Sequence, residues 1–258
     1  MLTRRWVLVG LLSSLLTPFR VWAQPLPPSN LRLNSMAVAF DAEAHGSTAA
    51  GGTSIPDFTL TIGAGVTDGA VCVCIAFAQT TPTGVTVTIG GSAASAIANT
   101  DGNNVSRSLM FGLATGSSTG AKTISVSWTE TANAAAVAIS ASGVDQTTPF
   151  NNGAFSGLGF GVQPSITITS ATGDLTIDVN SNGSGNAPTT PNQTQRAAFA
   201  SDDFQIGCGV STAAGAATVT HTWAAGGWVA QSGANFKAAA GAGGTTWPGW
   251  FTSRGGWI

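Results

Sequence analysis

The stretch "SGVDQTTPF" (142–150) sets one carboxylate, Asp145, between a Gly-Val pair and two threonines, with Pro149 closing the run. An aspartate on such a loop is either a general acid or the residue that turns the chain. The apolar run "AVAIS" before it and the Thr-Thr-Pro after it favour the turn: an Asx bond to a nearby amide orders the loop, and Pro149 stops further pairing. Asp145 is therefore read as loop-structuring. Glycoside hydrolysis needs a second carboxylate about 5 to 10 Å away. Glu130, Asp174 and Asp178 are the candidates, and their spacing selects none of them. Asp178 has the polar parity of "LTIDV" and reads as a solvent-face residue. No residue is assigned as catalytic.

The other reactive groups are few. His45 and His221 are the two histidines. His221 shares parity with Val219 and Trp223, which predicts an inward, hydrogen-bonded imidazole rather than a ligand. Two histidines without a cysteine pair at finger spacing do not make a structural zinc site, so no metal and no cofactor is expected. "NTDGNN" (99–104) offers Asn99, Asp101 and Asn103 but lacks the glycine and bidentate glutamate of a calcium loop, and Asp101-Gly102 reads as a hairpin turn. Cys72 and Cys74 lie two apart in a strand and cannot comfortably bond each other. A Cys208 disulfide to one of them is open after export, but three buried free thiols are preferred, because unpaired cysteine packs as a small hydrophobe. Trp247, Trp250 and Trp257 crowd the last residues with Phe251 and Arg254. Exposed tryptophans stack on sugar rings or bury in a partner, which makes these three the candidate binding residues; folding back on the chain's own sandwich is the other reading.

Strands must position these groups. "FTLTI", "VTVTI", "TISVSW", "SITIT", "LTIDV" and "ATVTHTW" alternate apolar residues with Thr, Ser or Asp, the pattern of a strand with one buried face. "AVCVCIAFA" (70–78) is apolar on both faces, as in a central strand covered twice. "ETANAAAVAIS" (130–140) reads as a strand ending at the Asp145 loop rather than as a helix. The expected fold is all-β: an antiparallel two-sheet jelly-roll sandwich of about eleven to thirteen strands over residues 36–239, with little or no helix beyond the leader. Residues 24–35, with three prolines among the first five, form an extended segment, and 240–258 a Gly/Trp-rich tail.

"MLTRRWVLVGLLSSLLTPFRVWAQ" has a basic start, a short apolar stretch and a small residue at Ala23, the layout of a signal peptide over 1–23 cut after Ala23. Its apolar run is shorter than the roughly 20 residues of a membrane-spanning helix. Arg4-Arg5 leaves Sec and twin-arginine export both open. Cleavage removes three arginines and leaves six basic against eleven acidic residues, a net charge of −5. A mildly acidic chain with 8% charged residues has no basic patch for nucleic acid.

The stretches "VAFDAEAHGS" (38–47), "SGVDQTTPF" (142–150), "ATGDLTIDV" (171–179), "NQTQR" (192–196), "AATVTHTW" (216–223) and "WVAQSGANFKAA" (228–239) carry a resemblance. In this order they resemble a widespread, largely uncharacterised family of secreted and phage-associated jelly-roll, concanavalin-like β-sandwich domains. "SGVDQTTPF" is the most specific of them. The resemblance implies an exported chain (periplasmic, cell-surface or extracellular) and carries over no catalytic residue. The functional expectation is a non-catalytic binding or structural module acting in surface attachment, in glycan binding or as an accessory virion or envelope component. Its partner would be a glycan or a surface protein, with homo-oligomerisation open. The alternative is a glycan-active hydrolase or lyase on the same kind of sandwich.

Overall fold

The computed structural model describes residues 37–48, 51–78, 82–99, 106–201, 205–224 and 227–240. These residues form antiparallel strands and no helix. In chain order the strands are β1 (Ala39–Ser47), β2 (Gly52–Ile62), β3 (Gly69–Ala78), β4 (Thr86–Ile89), β5 (Ser92–Ala93), β6 (Ser95–Asn99), β7 (Ser106–Gly116) and β8 (Gly120–Ser142). They continue as β9 (Phe150–Phe160), β10 (Ser165–Thr169), β11 (Leu175–Asn182), β12 (Thr194–Ala200), β13 (Gly207–Ala214), β14 (Thr218–Thr222) and β15 (Trp228–Phe236). The count exceeds the eleven to thirteen expected from alternation, because two-residue β5 and short β6 carry no periodic signal of their own.

The 23-residue strand β8 organises the first half of the chain. Its C-terminal part pairs with β1 on one side and β3 on the other, while its N-terminal part pairs with β2 and β4. The sheet thereby folds over itself. Ile55, Leu60, Ile62, Val87, Ile89, Ile124, Val126 and Trp128 come down on the odd-numbered face of β3, namely Val71, Val73, Ile75 and Phe77. The even-numbered face, Ala70, Cys72, Cys74 and Ala76, packs instead on Leu175, Ile177, Val179, Cys208 and Val210 of the second sheet. Every residue of β3 is buried, as two-sided apolarity predicts. The alanines at 134–136 and 138 of β8 let both cores close around a strand with little side-chain volume.

The second sheet runs in the order β12-β13-β11-β15-β9, and facing the first across an apolar core it completes a β-sandwich. Its outer face carries a further layer, the two-stranded ribbon β10–β14. Ile166 and Ile168 of that ribbon lie against Gly233, where an added Cβ would approach their Cδ1 atoms to 2.5 and 2.7 Å. The chain thus stacks four layers with two apolar interfaces and a third, outermost one that is largely polar. Cys72, Cys74 and Cys208 are free and buried, the preferred of the two thiol readings.

Candidate functional site

"SGVDQTTPF" is the crossover from β8 in the first sheet to β9 in the second. Asp145 sits on it as a turn residue: its Oδ1 accepts from the amides of Thr147 at 2.8 Å and Thr148 at 3.2 Å. Its Oδ2 lies 2.9 Å from Lys237 Nζ, just beyond the end of β15. The Lys237 ammonium and the two amides pull the Asp145 carboxyl down to about 2. Gln146 adds a second clasp, donating from Nε2 to the carbonyls of Gly69 and Val144 and accepting from the amide of Gly116. Backbone bonds complete the lock: Gly143 and Val144 donate to Thr67 and Asp68, and Lys237 donates to Pro149. These residues tie both sheets together at one end of the sandwich and aim Pro149 and Phe150 into the space between them.

That space is a cleft of about 390 Å³ between β6–β7 of one sheet and β9 of the other. Ile97, Leu113 and Phe150 form its apolar walls, and Ser95 and Asn151 supply polar atoms. Asn151 Oδ1 is buried without a hydrogen-bond partner. Gly112 makes the cleft possible: a Cβ there would run into the Phe150 ring and Ile97. Gly153 does the same at the other wall, where a Cβ would meet the Ile97 carbonyl at 2.9 Å. Beyond Gly153, Phe155 is paired with Ser232 and is 65% exposed. Phe160 (67% exposed) and Trp228 (37%) follow as a T-shaped pair with centroids 5.7 Å apart. Strand β9 has no partner on its outer side among the described residues, so cleft and aromatics line one open edge.

The most elaborate polar cluster lies elsewhere, and it corrects the expectation for Asp178. That residue is fully buried, not on a solvent face, because the ribbon β10–β14 covers the outer face of β11. Asp178 Oδ1 accepts from the amide and hydroxyl of Ser211 and from His221 Nδ1 at 3.1 Å; Oδ2 accepts from Trp223 Nε1 and Gln231 Nε2, both at 2.6 Å. Burial pushes the Asp178 carboxyl up, but His221, Ser211 and Trp223 together outweigh it and hold the group below its ordinary value. His221 is the inward, hydrogen-bonded imidazole that parity predicts, with Nε2 2.9 Å from Thr176 Oγ1.

Serine, histidine and aspartate in contact invite comparison with a nucleophilic triad, and the geometry answers it. A triad holds serine on one imidazole nitrogen and aspartate on the other. Here Ser211 Oγ and Asp178 Oδ1 both face Nδ1, and Ser211 donates to Asp178 itself. All three side chains are fully buried. The cluster fastens the ribbon to the sheet.

The remaining carboxylates do not pair with it. Asp174 and Asp178 are four residues apart along extended chain, about 13 Å by strand rise, and Asp174 is held by the amides of Ala171 and Ala238 and by Asn235 Nδ2. Glu130 is exposed, and its bonds from the hydroxyl and amide of Thr83 and from Thr129 lower it to about 2. His45 stacks on Phe199 at 4.6 Å on the opposite open side, next to Arg196 lying 3.9 Å over the Phe40 ring. Among the described residues no group of three or more His, Cys, Asp or Glu side chains is placed to hold a metal. Asp101 and Asn103, and the tryptophans 247, 250 and 257, lie outside the described residues, as do residues 1–23, read from sequence as a signal peptide, and residues 24–35, read as a leader. The sequence carries no local signature of the cleft, because Gly112 of β7 faces Phe150 of β9 and Gly153 of β9 faces Ile97 of β6. Neither protein-family models nor curated proteins give any match to this chain.

Proposed function

We propose that this chain is an exported, non-catalytic β-sandwich module that binds glycans along the open β9 edge. The observation that carries the reading is the row of exposed rings, Phe155, Phe160 and Trp228, running on from the cleft. Phe155 and Phe160 are five residues apart, about 17 Å along a strand, which suits an extended chain better than a compact ligand. Aromatic faces take the C–H faces of sugar rings, and the unpartnered Asn151 Oδ1 in the cleft offers an acceptor for a hydroxyl. The near-neutral surface supports an uncharged partner over a nucleic acid. Trp247, Trp250 and Trp257 would extend the same chemistry in the tail, and attachment to a cell or virion surface is the setting that the "SGVDQTTPF" resemblance suggests.

A glycan array probed with the purified chain tests this reading. Binding to at least one oligosaccharide class is expected, with about tenfold weaker binding in Phe160→Ala and Trp228→Ala, the size of one stacking contact. An array without a hit, or a hit indifferent to both substitutions, would sink it.

A further inference from the structure

A second cavity, of about 250 Å³, opens on the opposite face of the five-stranded sheet, under the chain that follows β11. Asn180, Asn182, Ser184, Pro188 and Val229 line it. Asn180 is 1% exposed, and its Oδ1 has no hydrogen-bond partner. A buried amide oxygen in this state is costly unless something supplies a donor. Its strand neighbours cannot. Gln231, directly across on β15, already spends its Nε2 on Asp178 and the His221 carbonyl. Asn182 spends its Nδ2 on the Asn186 carbonyl and its Oδ1 on the Ser184 amide.

The cavity is built into the fold. A Cβ on Gly207 would collide with the Asn186 carbonyl, and one on Gly209 would press on Pro188 and Trp223, so the loop 184–188 is seated on bare backbone. Gly227, at φ +64°, faces Ser184 where no side chain would fit. Walls and roof are set before any ligand arrives.

The lining selects the ligand. Among the described residues it holds no charged side chain, and the carboxylate of Asp178, two residues along β11 from Asn180, is saturated by five donors. Neither an anion nor a cation finds a counter-charge. Carboxamides and a hydroxyl opposite Pro188 and Val229 instead match a ring with hydroxyls on its rim and C–H groups on its face. We propose that this cavity is a binding site for one neutral hydroxylated ring, a single sugar residue, with the Asn180 carboxamide as the hydrogen-bond partner of one of its hydroxyls. It is separate from the β9 edge and does not depend on that edge being a glycan surface.

The test is a titration of the purified chain with free glucose, galactose, mannose, N-acetylglucosamine and glycerol, followed by saturation-transfer NMR and amide shift mapping. At least one sugar should bind saturably, with shifts at Asn180, Asn182 and Val229. Asn180→Val should weaken it at least about tenfold, the loss of one buried hydrogen bond. The melting temperature of Asn180→Val should not fall, since the substitution removes an unpaired polar atom. Phe160→Ala, on β9 and away from the cavity lining, should leave the shifts at Asn180, Asn182 and Val229 unchanged, which separates this site from the edge. Ala187→Phe, which fills the cavity without touching Asn180, gives the same loss if Asn180→Val does not fold. No saturable binding of any probe would mean a cavity holding water only and would overturn the assignment. So would binding that survives both cavity variants.

Discussion

Asp178→Asn is the sharpest perturbation this fold offers, because it changes one atom in a site without slack. The carboxylate accepts from five donors: three at Oδ1, from Ser211 and His221, and two at Oδ2, from Trp223 Nε1 and Gln231 Nε2. An asparagine keeps one oxygen and turns an NH₂ toward the other set. If the NH₂ replaces Oδ2, Trp223 and Gln231 both lose their acceptor. If it replaces Oδ1, the Ser211 amide, the Ser211 hydroxyl and His221 Nδ1 do. At least two buried donors are orphaned either way, at roughly 1–3 kcal/mol each, for a loss of about 3–5 kcal/mol. In a domain of this size that is roughly 8–16 °C in Tm, and a large share of the whole stability. Urea denaturation at pH 7 measures it, and the acid limb supplies a second reading. The folded Asp178 pKa lies below the unfolded value of about 3.9, so the unfolded state binds the proton first as pH falls. The stability it contributes is full above about pH 5 and drains away as pH drops through 4 toward the folded value. The Asn variant should show a shallower acid slope over that window. An Asp178→Asn protein within about 1 kcal/mol of the parent at pH 7 would refute the claim that an ionised carboxylate fastens the ribbon.

Trp128→Ala should cost about 3–5 kcal/mol in urea melts, since the ring is 5% exposed and meets Phe77 edge-on at 5.0 Å in the folded-over core; an unchanged melt would contradict that packing. Asp145→Asn should keep the Thr147 and Thr148 amide bonds and lose only the Lys237 partner, so that it melts close to the parent, whereas Asp145→Ala should lose about 0.5–2 kcal/mol, as for a missing capping oxygen. Equal melts for the two variants would show that the turn does not need the side-chain oxygen. The thiols should be silent toward a disulfide reagent in the native protein and count three in urea, because burial pushes Cys74 and Cys208 up and Cys72 lies beside Cys74 at 3.8 Å between the sheets. Rapid native labelling would place one of them at the surface.

What the residue pattern could and could not disclose follows from the range of each force. Alternation is local, and it identified the strands around Ile124, Ile166, Leu175 and Val219; the double apolarity of "AVCVCIAFA" identified a strand with a core on either side. The same rule failed at Asp178, and the failure is instructive. Polar parity says only that a residue faces away from the first apolar core. It does not say that the other face meets water, and here the ribbon of β10, just before β11 in the chain, and β14, some forty residues after it, covers that face. A signal was present in combination: Thr176, Asp178, Asn180 and Asn182 share one face of β11, all are buried, and the one inward histidine of the chain needed a buried partner. A strand face made wholly of short hydrogen-bonding side chains, without a Lys, Arg or Glu, is better suited to a polar interface than to solvent. The cleft at Phe150 had no such signal, since its shape depends on Gly112 and Gly153 lying opposite Phe150 and Ile97, and a missing Cβ leaves no periodic trace. Apolar interfaces are therefore readable one strand at a time, whereas polar interfaces and clefts become readable only when two distant strands are considered as a pair.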